Sequence, residues 1–502
     1  MKKLILWIAC VLASANFADA QAQRFLTPEE ARTDVRVFRK ALEEIHPQLY
    51  RYTDKPIFER AFATLEADAS KGMSESEFFK RVSQIATLAH CGHTWTNPLN
   101  QDAEFIRRNF NRQHLLPFYF RFIDRRMIVT HNASDNPKVK AGTEILKINN
   151  VSVTKIVDSL LTVAKADGLN TTAHRLRTLE VERSASEMSV HDKLFDIYFP
   201  LFFPLDKPMF EVEAVDFETK RKFSFKTPAL TRQGRLQIAE GRFGRLPSRE
   251  ESWQFKLMND DVAYLKLGTF FTVGWQLDTK KFLADAFAQM RQQGSRTLIV
   301  DLRGNGGGLT QNTDELKRYV AKRPLECRSD MRRAVKSTRI DRSLAPYLTS
   351  YEETLNLALT QDLPQELFRK RNDGLFEILD GSECARIEPY PNNFQGEVYF
   401  ISDAANASAV FQLLDDVRFY KLGTIVGQET GGNLQGINTS VFFLRLPHSK
   451  IEVDLPVVAS LPVQPQKDEG IKPDFYVRPG VEEVARGVDV ELDFVRSRAN
   501  KH

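Results

Sequence analysis

Apolar positions between residues 27 and 92 recur at helical spacing. Thr27-Pro-Glu-Glu30 reads as a capping box with proline at the first helical position. Ala31, Val35, Phe38, Leu42 and Ile45 then line one face until His46-Pro47 stops the turn. Phe58, Phe62 and Leu65 mark a second helix. A third opens at Ser74, carries Phe78, Val82, Ile85 and Ala89, and ends at Gly92, so His93 leaves a helix end at once. From 112 to 228 the pattern turns strand-like, at 118–122, 127–130 and 141–153, then a helix at 155–164, then strands at 209–215 and 220–225. The stretch 166–205 between them is more helical. Residues 229–252 are polar and Arg-rich and read as a linker.

Strand and helix alternate after the linker. Strands are expected at 262–267, 297–302, 398–402 and 424–427, and helices at 279–292, 312–321 and 408–420, with an insertion of about 70 residues before the third strand. This is the crossover pattern of an α/β core. Two of its apolar runs end in residues suited to chemistry. Thr297-Leu-Ile-Val-Asp-Leu-Arg-Gly-Asn-Gly-Gly-Gly308 closes in consecutive glycines, which let backbone N–H groups approach a ligand. Val398-Tyr-Phe-Ile-Ser-Asp-Ala-Ala-Asn-Ala-Ser-Ala-Val410 delivers Ser408 to the first turn of a helix whose apolar face is Val410, Leu413, Leu414 and Val417. No Lys-Ser/Thr pair follows the glycines, which disfavours a phosphate cradle.

Taken together, these two segments resemble the serine peptidases of the C-terminal processing and tricorn-core family. Asp301, Arg303, Asn305, Gly307 and Gly308 match its D-[LV]-R-x-N-x-G-G strand end, and Ser408-Ala409 its nucleophile. Val426-Gly-Gln-Glu-Thr-Gly-Gly432 matches V-G-x-x-T-x-G, and Gly470-Ile-Lys-Pro-Asp474 matches G-[IV]-x-P-D. The resemblance implies a crotonase/Clp-protease-like catalytic core at 253–478 with a lid-like insertion at 325–395, after an N-terminal helical region at 25–98. Ala141-Gly-Thr-Glu-Ile-Leu-Lys-Ile-Asn-Asn150 resembles part of a PDZ domain, which implies a PDZ-like domain at 112–228 with a helical insertion.

The resemblance also implies roles. Ser408 is the nucleophile of an acyl-enzyme mechanism, and the N–H groups of Ala409 and of Gly306 and Gly307 form the oxyanion hole. In the processing branch a lysine follows the T-x-G motif. Asn433 stands there in this chain and cannot act as a base. The tricorn-like branch takes a histidine from its N-terminal part, and Cys91-Gly-His-Thr94 makes His93 the expected general base, with His90 structural. The orienting acid is expected just before Gly470, where Asp468 and Glu469 are both candidates; Asp301 and Arg303 are expected to fix the loop.

Composition narrows the setting. Lys2-Lys3, an apolar stretch from 4 to 13 and Ala18-Asp-Ala20 read as a signal peptide over 1–20, giving an exported, periplasmic or secreted product with no stable membrane insertion after cleavage. Losing Lys2, Lys3 and Asp19 takes the formal charge from +4 to +3, too weak a surplus to argue for nucleic acid. The expected partner is a peptide or protein substrate. Neither metal nor organic cofactor is implied, because the cysteines lack metal-ligand spacing. Cys327 and Cys384 bracket the insertion and form the expected disulfide, leaving Cys91 reduced beside His93; the alternative is three free thiols. The competing reading of the whole chain is a catalytically inactive peptide- or ligand-binding protein on the same fold.

Overall fold

A computed structural model describes residues 24–98, 100–110, 114–169, 172–183, 194–258, 261–379 and 386–499. The expected signal peptide and Cys384 lie outside the described residues. Cys327 is disulfide-bonded and Cys91 is a buried free thiol.

The N-terminal region is helical: Pro28–Ile45, Lys55–Ala69 and Glu75–Thr87. Its first cap is a true capping box, in which Thr27 accepts from the Glu30 N–H at 3.3 Å and Glu30 accepts from the Thr27 N–H at 2.8 Å. Ala31, Val35, Phe38, Leu42 and Ile45 all face inward. The next sheet runs Phe118–Ile123, Arg126–Asn132, Glu144–Ile148, Met209–Val215, Lys222–Pro228, all antiparallel, with Val151–Ser152 paired off Glu144–Ile148 and the helix Val153–Leu161 packed against it. The outer edge of Phe118–Ile123 is partly covered by the chain itself, since Phe120 and Val181 exchange backbone hydrogen bonds at 2.9 and 3.2 Å.

The linker reading of 229–252 gives way to a helix, Arg232–Phe243, capped by Thr231. Its Arg235 is fully buried and grips the carboxylate of Asp196 on the helix Leu194–Phe202, with one contact at 3.1 Å. A polar run hides such a helix because its inward face is held by a charge. Asp196→Ala takes the carboxylate from that buried guanidinium and is expected to cost about 3–5 kcal/mol, to be read from denaturant unfolding.

A second sheet has six strands in the order Phe475–Tyr476, Thr424–Gly427, Glu397–Ser402, Thr297–Asp301, Val262–Leu267, Trp253–Leu257. All neighbours are parallel except the last pair. The central strand Thr297–Asp301 is buried along its whole length, as a parallel strand covered on both faces requires. Helix Ala409–Tyr420 seats Val410, Leu413, Leu414 and Val417 in the core. Each such burial contributes roughly 1.5–3 kcal/mol relative to exposure.

A third sheet, antiparallel, orders Leu348–Thr349, Ile437–Arg445, Glu452–Pro462, Met331–Val335, Phe376–Ile378, Phe368–Lys370. The stretch expected as a lid, 325–395, thus supplies four of its strands and builds on the long hairpin Ile437–Arg445/Glu452–Pro462.

Candidate active site

Parallel neighbours Thr297–Asp301 and Glu397–Ser402 end on the same edge of the core sheet, which brings the glycine loop and the serine turn together. Asn406, fully buried, stitches them: its amide donates to the carbonyls of Leu302 at 2.7 Å and Asn305 at 3.0 Å. Asp403 accepts from the N–H of Gly304 and of Ala405, both at 3.1 Å. Asp301 holds Arg303 through two contacts of 2.8 and 3.0 Å. Burial alone would raise the Asp301 carboxyl, but Lys266, Arg303 and Tyr264 hold it well below the usual carboxylate range. Arg303 continues to Asp489 and Glu491, fastening the loop to the C-terminal helix.

Ser408 stands at φ 54°, ψ −127°, immediately before helix Ala409–Tyr420. A non-glycine residue there carries strain of about 1–3 kcal/mol. Gly307 lies against it at φ +112°: a Cβ at 307 would come within 2.8 Å of Ser408 Cβ and 2.9 Å of the Ala407 carbonyl. Nothing comparable crowds Gly306, where a Cβ would find open space. The two glycines therefore differ in what they offer. The Gly307 N–H already donates to Asn305 Oδ1 at 2.9 Å, whereas the Ala409 N–H, at the first helical position, has no intrahelical acceptor.

His93 arrives from the turn that follows helix Glu75–Thr87. Its Nε2 is 3.2 Å from Ser408 Oγ. Its Nδ1 is buried without a hydrogen-bond partner among the described residues. Burial first, and then the nearby Lys165 cation, push the imidazole down to about 4. The downstream side of the turn is pinned by buried Asp454, which accepts from Trp95 Nε1 at 3.0 Å, Asn97 at 2.8 Å and Asn100 at 2.9 Å. Lys165 lies over the Trp95 ring, 3.8 Å from its centre. Cys91 receives Asn438 Nδ2 at 3.4 Å, and burial pushes its thiol up to about 11.

The two expected acids are not bonded to His93. Asp468 accepts from the Asn433 amide and, at 3.0 Å, from the Leu169 N–H. Glu469 pairs with Lys472 at 2.5 Å on the surface side of the same turn. A position before a motif does not fix where its side chain points, and both point elsewhere. Asn433 is fully buried and bonded to Asp468 and to the Asp167 carbonyl at 3.2 Å. His90 faces the Gly168 carbonyl at 3.2 Å.

Helix Thr172–Thr178, inside the stretch without a motif, supplies residues that the sequence reading missed. His174 Nδ1 lies 2.6 Å from the Ala404 carbonyl, and Arg177 Nε donates to Asp403 at 3.1 Å. Both therefore brace the serine turn from the N-terminal half. Neither carries a local signal, because the partners are more than 200 residues away. Among the described residues no group of three His, Cys, Asp or Glu could hold a metal ion.

A strained serine at a helix start, hydrogen-bonded to a buried neutral histidine and backed by a glycine loop, has the layout of a serine peptidase. Residues 261–477 match the model of Peptidase family S41. In overall fold it is similar to the crystal structure of mature CPAF, at a TM-score of 0.60 and 12% identity over 94% of this chain and 96% of that one. Mature CPAF complexed with lactacystin gives a TM-score of 0.59 at 12% identity, covering 94% and 98%. No curated protein sequence matches the chain.

Proposed function

We propose that the protein is an exported peptidase that cleaves peptide bonds through an acyl-enzyme, with Ser408 as nucleophile and His93 as general base. The observation that carries this reading is the 3.2 Å contact between His93 Nε2 and Ser408 Oγ, made by residues 315 positions apart. At neutral pH the imidazole is uncharged and takes the hydroxyl proton as Oγ attacks the carbonyl carbon. The developing oxyanion is met by the N–H of Ala409 and of Gly306, each worth about 3 kcal/mol in the transition state. His93, now protonated, gives its proton to the leaving amine, and its low basicity favours that return. Water then repeats the cycle on the ester.

Export rests on the pattern of residues 1–20, and the PDZ-like reading of 112–228 on the motif at 141–150. Among the described residues no helix is long and apolar enough to cross a membrane. An orienting acid for His93 is the finer part of the reading. Asp468 and Glu469 remain the sequence's candidates, and their bonds to Asn433 and Lys472 argue for a Ser–His pair at work without a carboxylate on Nδ1.

The base gives a pH signature that tests this reading. Only neutral imidazole accepts the proton, and a pKa held near 4 keeps it neutral further into acid than an ordinary histidine at 6.5. The kcat/KM for a peptide substrate is therefore expected to stay level from pH 7 to about 5 and to fall below that. A fall centred between 6 and 7 would contradict the buried environment of His93. An amine base would instead place the acid limb well above 7.

A further inference from the structure

The Nδ1 of His93, unbonded among the described residues, leaves a task undone. In a Ser–His–acid triad the carboxylate on that nitrogen holds the ring in the right orientation. Among the described residues the ring has no such hold, so its aim at Ser408 is set by the backbone of the turn that carries it. That turn is gripped next to the base by a carboxylate from the motif-free stretch: Asp167 Oδ1 accepts the Gly92 N–H at 2.7 Å. Asp167 is almost fully buried, at 4% exposure. The contact requires glycine at 92, because a Cβ there would lie 2.7 Å from Asp167 Oδ2.

Asp167 is itself located by bonds that converge on it. Gly168 N–H donates to the His90 carbonyl at 2.9 Å, and Asn433 donates to the Asp167 carbonyl at 3.2 Å. Asp468 accepts from Leu169 N–H and from Asn433. Residues 167–169 thus form a strap tying the base turn to the two loops that carry Asn433 and Asp468. Resting on the Ser408–His93 reading, we propose that Asp167 is the positioning residue of the base: through the N–H of Gly92 it fixes the turn that aims His93, and Asp468 and Asn433 act on the base at one remove, by fixing the strap. What the contact needs is an acceptor oxygen at this point, and a full negative charge is not required. The carbonyl oxygen of a neutral carboxyl or an amide serves equally.

The test compares Asp167→Leu, which keeps the γ-branched shape and removes the acceptor, with Asp167→Asn, which keeps both; Asp167→Ala replaces the leucine variant if that one fails to fold. Asp167→Leu is expected to lower kcat by about 10- to 100-fold with KM within about threefold, since misaiming a catalytic group by an ångström costs on that order. Asp167→Asn is expected to recover kcat to within about threefold of the wild type. Amide hydrogen exchange over the turn should rise by about tenfold or more in Asp167→Leu and stay near the wild type in Asp167→Asn. Wild-type kcat in Asp167→Leu, an asparagine variant as slow as the leucine one, or unchanged exchange in Asp167→Leu would each overturn the proposal. The exchange measurement reads the positioning even if the protein hydrolyses no peptide, so failure of the strap and failure of the peptidase reading are separate results.

Discussion

Ser408→Ala is expected to lower peptide hydrolysis by about 10⁴-fold or more while the protein stays folded. The hydroxyl makes no capping bond to its helix, so removing it forfeits no part of the helix start. The Cβ that packs against Gly307 is retained in alanine, and the strained backbone is set by Asn406 and Asp403 in the turn before it. What is lost is the oxygen that lies 3.2 Å from His93 Nε2. The comparison is steady-state turnover of a peptide substrate alongside thermal unfolding of both proteins. Unchanged turnover in folded Ser408→Ala would end the peptidase reading.

The second large effect falls on the base. His93→Ala is expected to cost about 10²–10⁴-fold in kcat, the usual worth of a positioned general base. Asn433, where the motif resemblance would place a lysine, has no proton-accepting nitrogen to substitute, and its amide is committed to Asp468 and the Asp167 carbonyl. His90→Ala is the control. Its ring faces the Gly168 carbonyl at 3.2 Å instead of Ser408, and it should retain most activity. If His93→Ala keeps its activity, the proton goes to another group and the 3.2 Å contact has a structural role only.

Short-range signals account for what the sequence revealed. The strand Thr297–Asp301 and the helix Ala409–Tyr420 announce themselves by an apolar run and a helical period, and their ends carry the residues that meet at the site. His93 was legible because a helix stop and a Cys-Gly-His-Thr motif fall together. The hairpin Ile437–Arg445/Glu452–Pro462 was not read, since Glu452–Pro462 is buried on both faces over most of its length and shows no alternation. Helix Arg232–Phe243 looks like a linker in sequence because its anchoring residue is an arginine whose partner lies 39 positions upstream.

The site's supporting residues were hidden for a related reason. Asp167, Arg177 and His174 act on Gly92, Asp403 and Ala404, contacts that exist only once the halves of the chain pack together. Asp468 is a candidate by its position before the Gly470 motif, and its oxygens go to Leu169 and Asn433. Gly307 carries the φ its motif demands, but its N–H serves the Asn305 side chain, leaving Gly306 as the open glycine of the pair. Spacing along the chain identifies which loops converge; it does not say which atom of each loop faces the substrate.

Reaction with a fluorophosphonate, followed by peptide mapping, tests the central claim most directly, because the reagent reports an activated serine whatever the natural substrate is. The Ser408–His93 pairing predicts one adduct, on Ser408, absent in Ser408→Ala and formed far more slowly in His93→Ala. A folded wild-type protein that takes up no label at Ser408, under conditions in which a known serine peptidase is fully modified, would contradict it.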